Sequence, residues 1–327
     1  MIAPGLLRRS LRQSLRWRVL AIWWLLLLVP SAIAAMPAFA LLRAQLDHSP
    51  ASAGSVAWMD GATLLDLVHQ LVSSSASSQA LLAGWIGALL VLLLTAPFAA
   101  AAMVAAAGAG EPLPFPRLLA AAGGLYGRML RAALAGLVPL GLAAALAGLL
   151  TRVALQINEN VDTETAAHRN LWLATTAAAA LLFVAHVIAD TARAQFAADP
   201  SRRSALGALV AAGRLLARRP FRCIAVGAVG AAVGLGGASA AMAVRLQIAQ
   251  SGPAAVALAW LLAQAAATAV GWGRAARIEG LAELSRTEAA WRARREVPPG
   301  SGPVPATEVV RSETLSALEP PRSGAPR

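Results

Sequence analysis

The stretch 186–222, HVIADTARAQFAADPSRRSALGALVAAGRLLARRPFR, decides how this chain folds. Its first five residues close an apolar run, and its middle turns at Asp199-Pro200. Its second half is basic and amphipathic up to Pro220, where another apolar run starts. A passage from lipid-compatible to water-compatible chemistry and back means that the chain leaves a membrane and re-enters it. The side on which this happens then orients every other segment.

Working outward, six apolar runs are long enough to cross a hydrocarbon layer of about 30 Å, which takes roughly 20 helical residues. They cover 19–42, 81–107, 130–150, 171–190, 223–244 and 254–273. Strands or loops facing lipid would strand their backbone polar groups, so each run is expected to be helical. The expected fold is all-α, a polytopic six-helix transmembrane bundle with amphipathic helices in the cytoplasmic interface. Residues 1–18 form a basic cytoplasmic N-terminus, and 19–296 the transmembrane domain with a charged helical extension. Residues 297–327 are rich in Pro, Gly and Ser without apolar periodicity and are expected to be disordered. Pro30, Pro37, Pro97 and Pro139 should bend the first three helices mildly.

Composition agrees with this frame. Of 327 residues 58% are hydrophobic and only 13% charged, too apolar for a soluble domain. The net charge of +12 would suggest nucleic acid on a soluble fold, but here the charges sit between apolar runs, so no nucleic-acid partner is expected. All 28 basic residues are arginine, which excludes lysine Schiff-base chemistry and the P-loop lysine. The single Cys223 excludes an internal disulfide and any CxxC metal site.

The arginines orient the bundle. One side carries Arg8, Arg9, Arg12, Arg16 and Arg18, then Arg117, Arg128 and Arg131. It also carries seven arginines from Arg193 to Arg222 and nine from Arg274 onward. The other side has only Arg43, Arg152, Arg169 and Arg245. The positive-inside rule then makes both termini cytoplasmic in a bacterial inner membrane. Trp85 and Trp172 fall at the outer interface, and Trp17 and Trp272 at the inner one. A cleavable signal peptide competes for the first run, with Ala32-Ile33-Ala34 as its small-residue motif. The run continues through Leu42, longer than a signal core needs, so it is read as a retained span.

Several connecting segments have their own reading. In the outer loop 43–80, Asp60 caps a short expected helix whose Leu64, Leu67, Val68 and Leu71 share a stripe. The second outer loop, 157–169, is acidic through Glu159, Asp162 and Glu164. Inside, Asp199 as N-cap with Pro200 at the first position starts an amphipathic helix. Leu206, Leu209, Val210 and Leu216 take one side, with Arg203, Arg214 and Arg218 largely on another. These arginines are expected to meet anionic phospholipid, at about 1 kcal/mol each. Short echoes (Trp17-Arg18 with Phe221-Arg222; 121–123 with 211–213) suggest three helical hairpins, each preceded by an amphipathic cytoplasmic segment.

Ionisable residues within a bilayer are functional candidates by default. His186 and Asp190 share a helix face at i, i+4. Counted from the outer ends, Asp190 and Arg274 lie at nearly equal depth and are expected to pair. With Gln264, these residues form a polar layer that would bind a substrate or lipid headgroup. The competing reading, favoured because two of the charges sit at helix ends, makes Asp190, Arg193 and Arg274 interfacial residues with an ordinary salt bridge. No metal is expected: Asp47, His48, Asp66 and His69 in one outer loop, and Glu164 with His168 in the other, lack a recognised ligand spacing. Ser239 has no partner base in the pattern, whereas Gly230 and Gly234 make a GxxxG face suited to close helix packing.

Asp190-Thr191-Ala192-Arg193, the 115–131 segment and the basic stretch through Arg219-Pro220 resemble a group of bacterial six-helix membrane proteins. That group is related to the membrane domain of glycerophosphoryl diester phosphodiesterases. There the catalytic domain is separate and soluble, so the resemblance implies an accessory or anchoring role and carries over no catalytic residue. The sequence thus favours a non-enzymatic inner-membrane scaffold or accessory subunit of an envelope complex, without cofactor. Its partners would be the bilayer and other membrane proteins. A transporter or lipid-handling protein built on the polar layer is the alternative.

Overall fold

The computed structural model describes residues 4–46, 75–161, 163–248 and 253–296. Every regular element among them is an α-helix. In order they are α1 (Pro4–Ser14), α2 (Trp17–Leu46), α3 (Ser75–Gly108), α4 (Phe115–Asn158), α5 (Glu164–Ala198), α6 (Ala205–Arg218), α7 (Pro220–Leu246) and α8 (Pro253–Glu296). Five of them, α2 to α5 and α7, are long and apolar enough to cross a membrane. The sixth run expected from the sequence, 254–273, lies within α8, which is not among those five. The outer-loop helix around Asp60 and the tail 297–327 fall outside the described residues, as does Asp162 of the acidic loop.

The long helices pair as antiparallel hairpins. In α2 and α3, Gly84 faces Pro37 and Gly87 faces Ile33. Tyr126 Oη donates to the Leu94 carbonyl (3.1 Å), tying α4 to α3. The α4–α5 hairpin is stapled at its tip: Asn158 Nδ2 donates to the Ala167 carbonyl and Asn170 Nδ2 to Asn158 Oδ1, both at 3.1 Å. In α7 and α8 the GxxxG reading holds, because Gly230 and Gly234 lie against the backbone of Gly273, and Gly237 against Ala269. With no Cβ on either side, the two backbones approach closely enough for dispersion contacts between main chains.

The buried core gathers where the arginine-bearing segments meet. It takes Ala99 to Val104 with Ala106 and Ala107 of α3, Leu118, Ala122 and Met129 of α4, Val187, Ala192, Ala194, Phe196 and Ala197 of α5, and Ile278, Leu281 and Ala282 of α8. Val19, Ile22 and Trp23 of α2 and Ala208, Ala212 and Leu215 of α6 complete it. Arg16 donates to the Ala106 carbonyl in the last turn of α3, and Arg18 Nη1 to Leu113 O (2.6 Å). Cationic groups suit the negative end of a helix dipole. The connection out of α3 turns at Gly110, whose φ of +63° is open to glycine at little cost. At the opposite end large apolar side chains are exposed, among them Trp85, Trp172 (74% accessible), Leu142 and Leu149.

Two local expectations change. Asp199 does not cap α6. It closes α5 and accepts from Ser201 N (3.1 Å) and Ser201 Oγ (2.6 Å), while Ser204 Oγ caps α6 by accepting from Gly207 N (3.1 Å). Pro200 therefore lies in a tight Asx-type turn rather than in the first turn of a helix. The three lead-ins also differ: α1 and α6 are separate helices, whereas 115–131 is continuous with α4. Among the described residues, 286–296 belong to a second unit, with Arg292 Nε 3.6 Å from Glu288 Oε1 and the Arg295 guanidinium 3.7 Å over the Trp291 ring.

Candidate functional site

Asp190 lies on α5 in the third-last turn of the helix, where every residue from 189 to 197 is buried. Its carboxylate is fully inaccessible. Burial of an unpaired carboxylate is too costly to persist, so the fold surrounds it with cations. Arg193 Nη1, one turn on, donates to Asp190 Oδ1 at 2.7 Å. Arg277 Nη2 of α8 stands 3.5 Å from Asp190 Oδ2, and His186 Nε2 3.4 Å from the same oxygen. Arg277 Nη2 is also 3.3 Å from His186 Nε2. Arginine only donates, so this contact is a hydrogen bond when Nε2 accepts and the ring proton sits on Nδ1.

Arg277 reaches α5 because of a glycine. A Cβ on Gly230 of α7 would collide with Cγ of Arg277. The missing side chain thus opens the path along which the arginine stem crosses α7. The GxxxG face has two tasks: it brings α7 onto α8, and it admits the side chain that ties α8 to α5. One turn further along α5, Gln195 Nε2 donates to Ser285 Oγ (3.0 Å), which itself donates to the Leu281 carbonyl (2.8 Å), a second buried polar tie between the same helices.

The structure brings together only part of the expected layer. His186 and Asp190 meet. Arg274 lies near them but is not the ion-pair partner; that role falls to Arg277, one turn beyond the apolar run. Arg274 instead places its guanidinium 5.6 Å over the Trp23 ring. Trp23 is held flat on α8, its Nε1 donating to the Ala267 carbonyl (3.0 Å) and its ring against Gly271. Gln264 is apart from the cluster. It accepts from Trp24 Nε1, and the Trp24 ring meets Trp260 edge-on at 6.3 Å. Ten residues separate Gln264 from Arg274, about 15 Å along the helix.

The sequence-predicted lipid contacts Arg203, Arg214 and Arg218 are all exposed. Leu206 and Val210 are exposed beside them, while Ala208, Ala212 and Leu215 make the buried face of α6. The helix therefore docks through small residues and presents a mixed arginine and aliphatic surface. Among the described residues no three His, Cys, Asp or Glu side chains converge as a metal site. Asp47, His48, Asp66 and His69 lie outside those residues, and Glu164, His168 and Ser239 are exposed.

The fold and cluster define an all-helical protein with five membrane-compatible helices. Comparison with family models, curated proteins and solved structures finds no match.

Proposed function

We propose that this is a non-enzymatic, six-span protein of the bacterial inner membrane with both termini cytoplasmic, serving as a scaffold or accessory subunit of an envelope complex. The carrying observation is the division of labour along the helices. The arginine-rich end is knitted together by small-residue packing and by the Asp190 cluster. The opposite ends of α3, α4 and α5 keep broad apolar faces exposed. Such faces suit lipid and other transmembrane helices. The sixth span is 254–273 of α8, antiparallel to α7. The resemblance to phosphodiesterase-associated membrane domains points to the same kind of role.

The test has two parts. Reporters fused after Gly110 and after Ala205 are expected on the cytoplasmic face; periplasmic activity at either position ends the topology. Mild-detergent purification after in-cell cross-linking is expected to recover a stoichiometric membrane partner, and recovery of monomer alone counts against the scaffold reading. One observation favours a second reading, a lipid-handling protein. The cluster at the inner interface sets Arg193 and Arg277 on a single carboxylate, with Arg274 on the same face of α8 as Arg277. Unchanged lipid distribution in cells carrying Asp190→Asn and His186→Ala would dispose of it.

A further inference from the structure

Two guanidinium groups from two helices meet on one carboxylate, and a third shares a helix face with one of them. Arg193 Nη1 and Arg277 Nη2 lie 2.7 and 3.5 Å from Asp190, and Arg274, three residues before Arg277, lies on the same face of α8 with its guanidinium over the Trp23 ring. The local charge is thus two positive units in excess. The acidic residues Glu279 and Glu283 of α8 do not correct this. At 100° per residue they are turned about 160° and 120° around the helix from Arg277. The Nε atoms of Arg274 and Arg277 are buried and make no hydrogen bond, and Asp190 Oδ2, which Arg277 Nη2 and His186 Nε2 approach only to 3.5 and 3.4 Å, accepts none either. Each guanidinium carries five N–H donors, yet among the described residues the side-chain hydrogen bonds these three make are one from Arg193 to Asp190 and one from Arg277 to His186. Buried cations without acceptors are costly, and an anion placed among them removes that cost.

The site has an opening as well as a charge. The His186 side chain beside Asp190 is 39% accessible. Its depth is specific. Arg274 follows an apolar run of 20 residues, 254–273, which spans about 30 Å as a helix and so ends at the level of lipid headgroups. Arginine forks match the paired oxygens of phosphate, the anion that lipid headgroups carry at that depth.

We propose that Arg274, together with Arg193 and Arg277, binds a phosphate group at the inner membrane interface, with Trp23 holding the Arg274 guanidinium in place and His186 at the entrance. Asp190 is then the internal anion that keeps the arginines assembled and competes with the ligand. The site deepens the lipid-handling reading, yet a bound phosphate would serve a scaffold equally. Loss of binding overturns the site. Binding without any effect on lipid distribution overturns only lipid handling.

The experiment uses the full chain in a neutral maltoside detergent, with thermal unfolding followed by labelling of the buried Cys223 thiol. Three additions are compared at matched ionic strength: phosphatidylglycerol, diacylglycerol with the same tails, and inorganic phosphate. A saturable rise in Tm with phosphatidylglycerol but not diacylglycerol is expected, and Arg274→Gln should weaken the apparent affinity roughly tenfold or more. Protection by inorganic phosphate as well identifies a free anion as a sufficient ligand; protection by phosphatidylglycerol alone identifies the headgroup. Should Arg274→Gln not fold, Arg193→Gln takes its place. Asp190→Asn, which removes the competing anion, should show a larger phosphate-dependent shift than the wild type. Equal shifts in wild type and arginine variants, or diacylglycerol as effective as phosphatidylglycerol, overturn the proposal.

Discussion

Within the single helix α3, residues 82–94 and 99–107 are both apolar and meet opposite fates. In the first stretch Leu82, Trp85, Ile86, Leu89, Leu90, Leu93 and Leu94 are exposed. In the second, all but the partly covered Ala105 are buried, and most of those residues are alanine. A water-soluble protein sorts large apolar side chains inward because water drives them there. In hydrocarbon that drive between helices is absent. Close packing and polar ties decide what lies inside, and small residues win because they let backbones approach. In the membrane placement proposed above, the leucine-rich half of α3 faces lipid or a partner, while the alanine-rich half is the core.

The sharpest way to break this contrast is to remove the polar tie at the core end. Asp190→Asn leaves Arg193 and Arg277 buried without a carboxylate, which for a buried ion pair costs about 3–5 kcal/mol. Labelling of Cys223 should then begin at a markedly lower temperature. An unchanged onset would mean that the cluster contributes nothing to holding α5 and α8 together. Next in size is a glycine pair chosen from the two kinds of region. A Cβ on Gly273 would sit 2.7 Å from Cα of Gly234, whereas nothing lies within 4 Å of one on Gly236. Gly273→Ala is expected to cost about 1–3 kcal/mol through overpacking. Gly236→Ala should be neutral or slightly stabilising through helix propensity. Equal Tm values for the two variants would refute the proposed α7–α8 contact.

The sequence made the helical class and the GxxxG contact legible, because each follows from apolar run length or residue size alone; the hairpins were suggested only by short sequence echoes. It also placed His186 beside Asp190, since i, i+4 spacing survives in any helix. It misassigned the partner. Depth counting along α8 favours Arg274, but contact depends on whose stem finds a gap, and the gap at Gly230 belongs to a third helix. Gln264, expected in the same layer, is instead the acceptor of Trp24, whose indole N–H needs an acceptor wherever it is buried. The cap of α6 shifted from Asp199 to Ser204 because the Asp-Pro-Ser-Arg sequence makes a turn of its own before the helix begins. That turn is further fixed by Arg128 of α4, which donates to Pro200 O at 3.0 Å, a long-range contact with no local signature.

Smaller effects test the segment joining the two kinds of surface. Ser204→Ala removes the acceptor for Gly207 N and should cost about 1 kcal/mol, read as faster amide exchange in the first turn of α6. Unchanged exchange at Gly207 would show that docking of Ala208 and Ala212, rather than the cap, holds that end.

The smallest expected change is acidic. The Ser201 hydroxyl bond is the largest cause holding the Asp199 carboxyl below its usual range, with the Ser201 amide and nearby Arg202 adding to it. A carboxyl depressed in the folded state stabilises the turn at pH above its unfolded value, about 3.9. That contribution fades as pH falls through the lower folded value. The turn should therefore stay protected from proteolysis at pH 5 and loosen only below about pH 4. Ser201→Ala removes the hydroxyl donor, so its Asp199 should titrate nearer the ordinary value and the turn should open at higher pH than in the wild type. Because Asp199 is largely in solvent, the rest of the bundle should not respond. A coincident shift in Cys223 labelling would mean that the 199–204 turn is coupled to the core rather than merely resting on it.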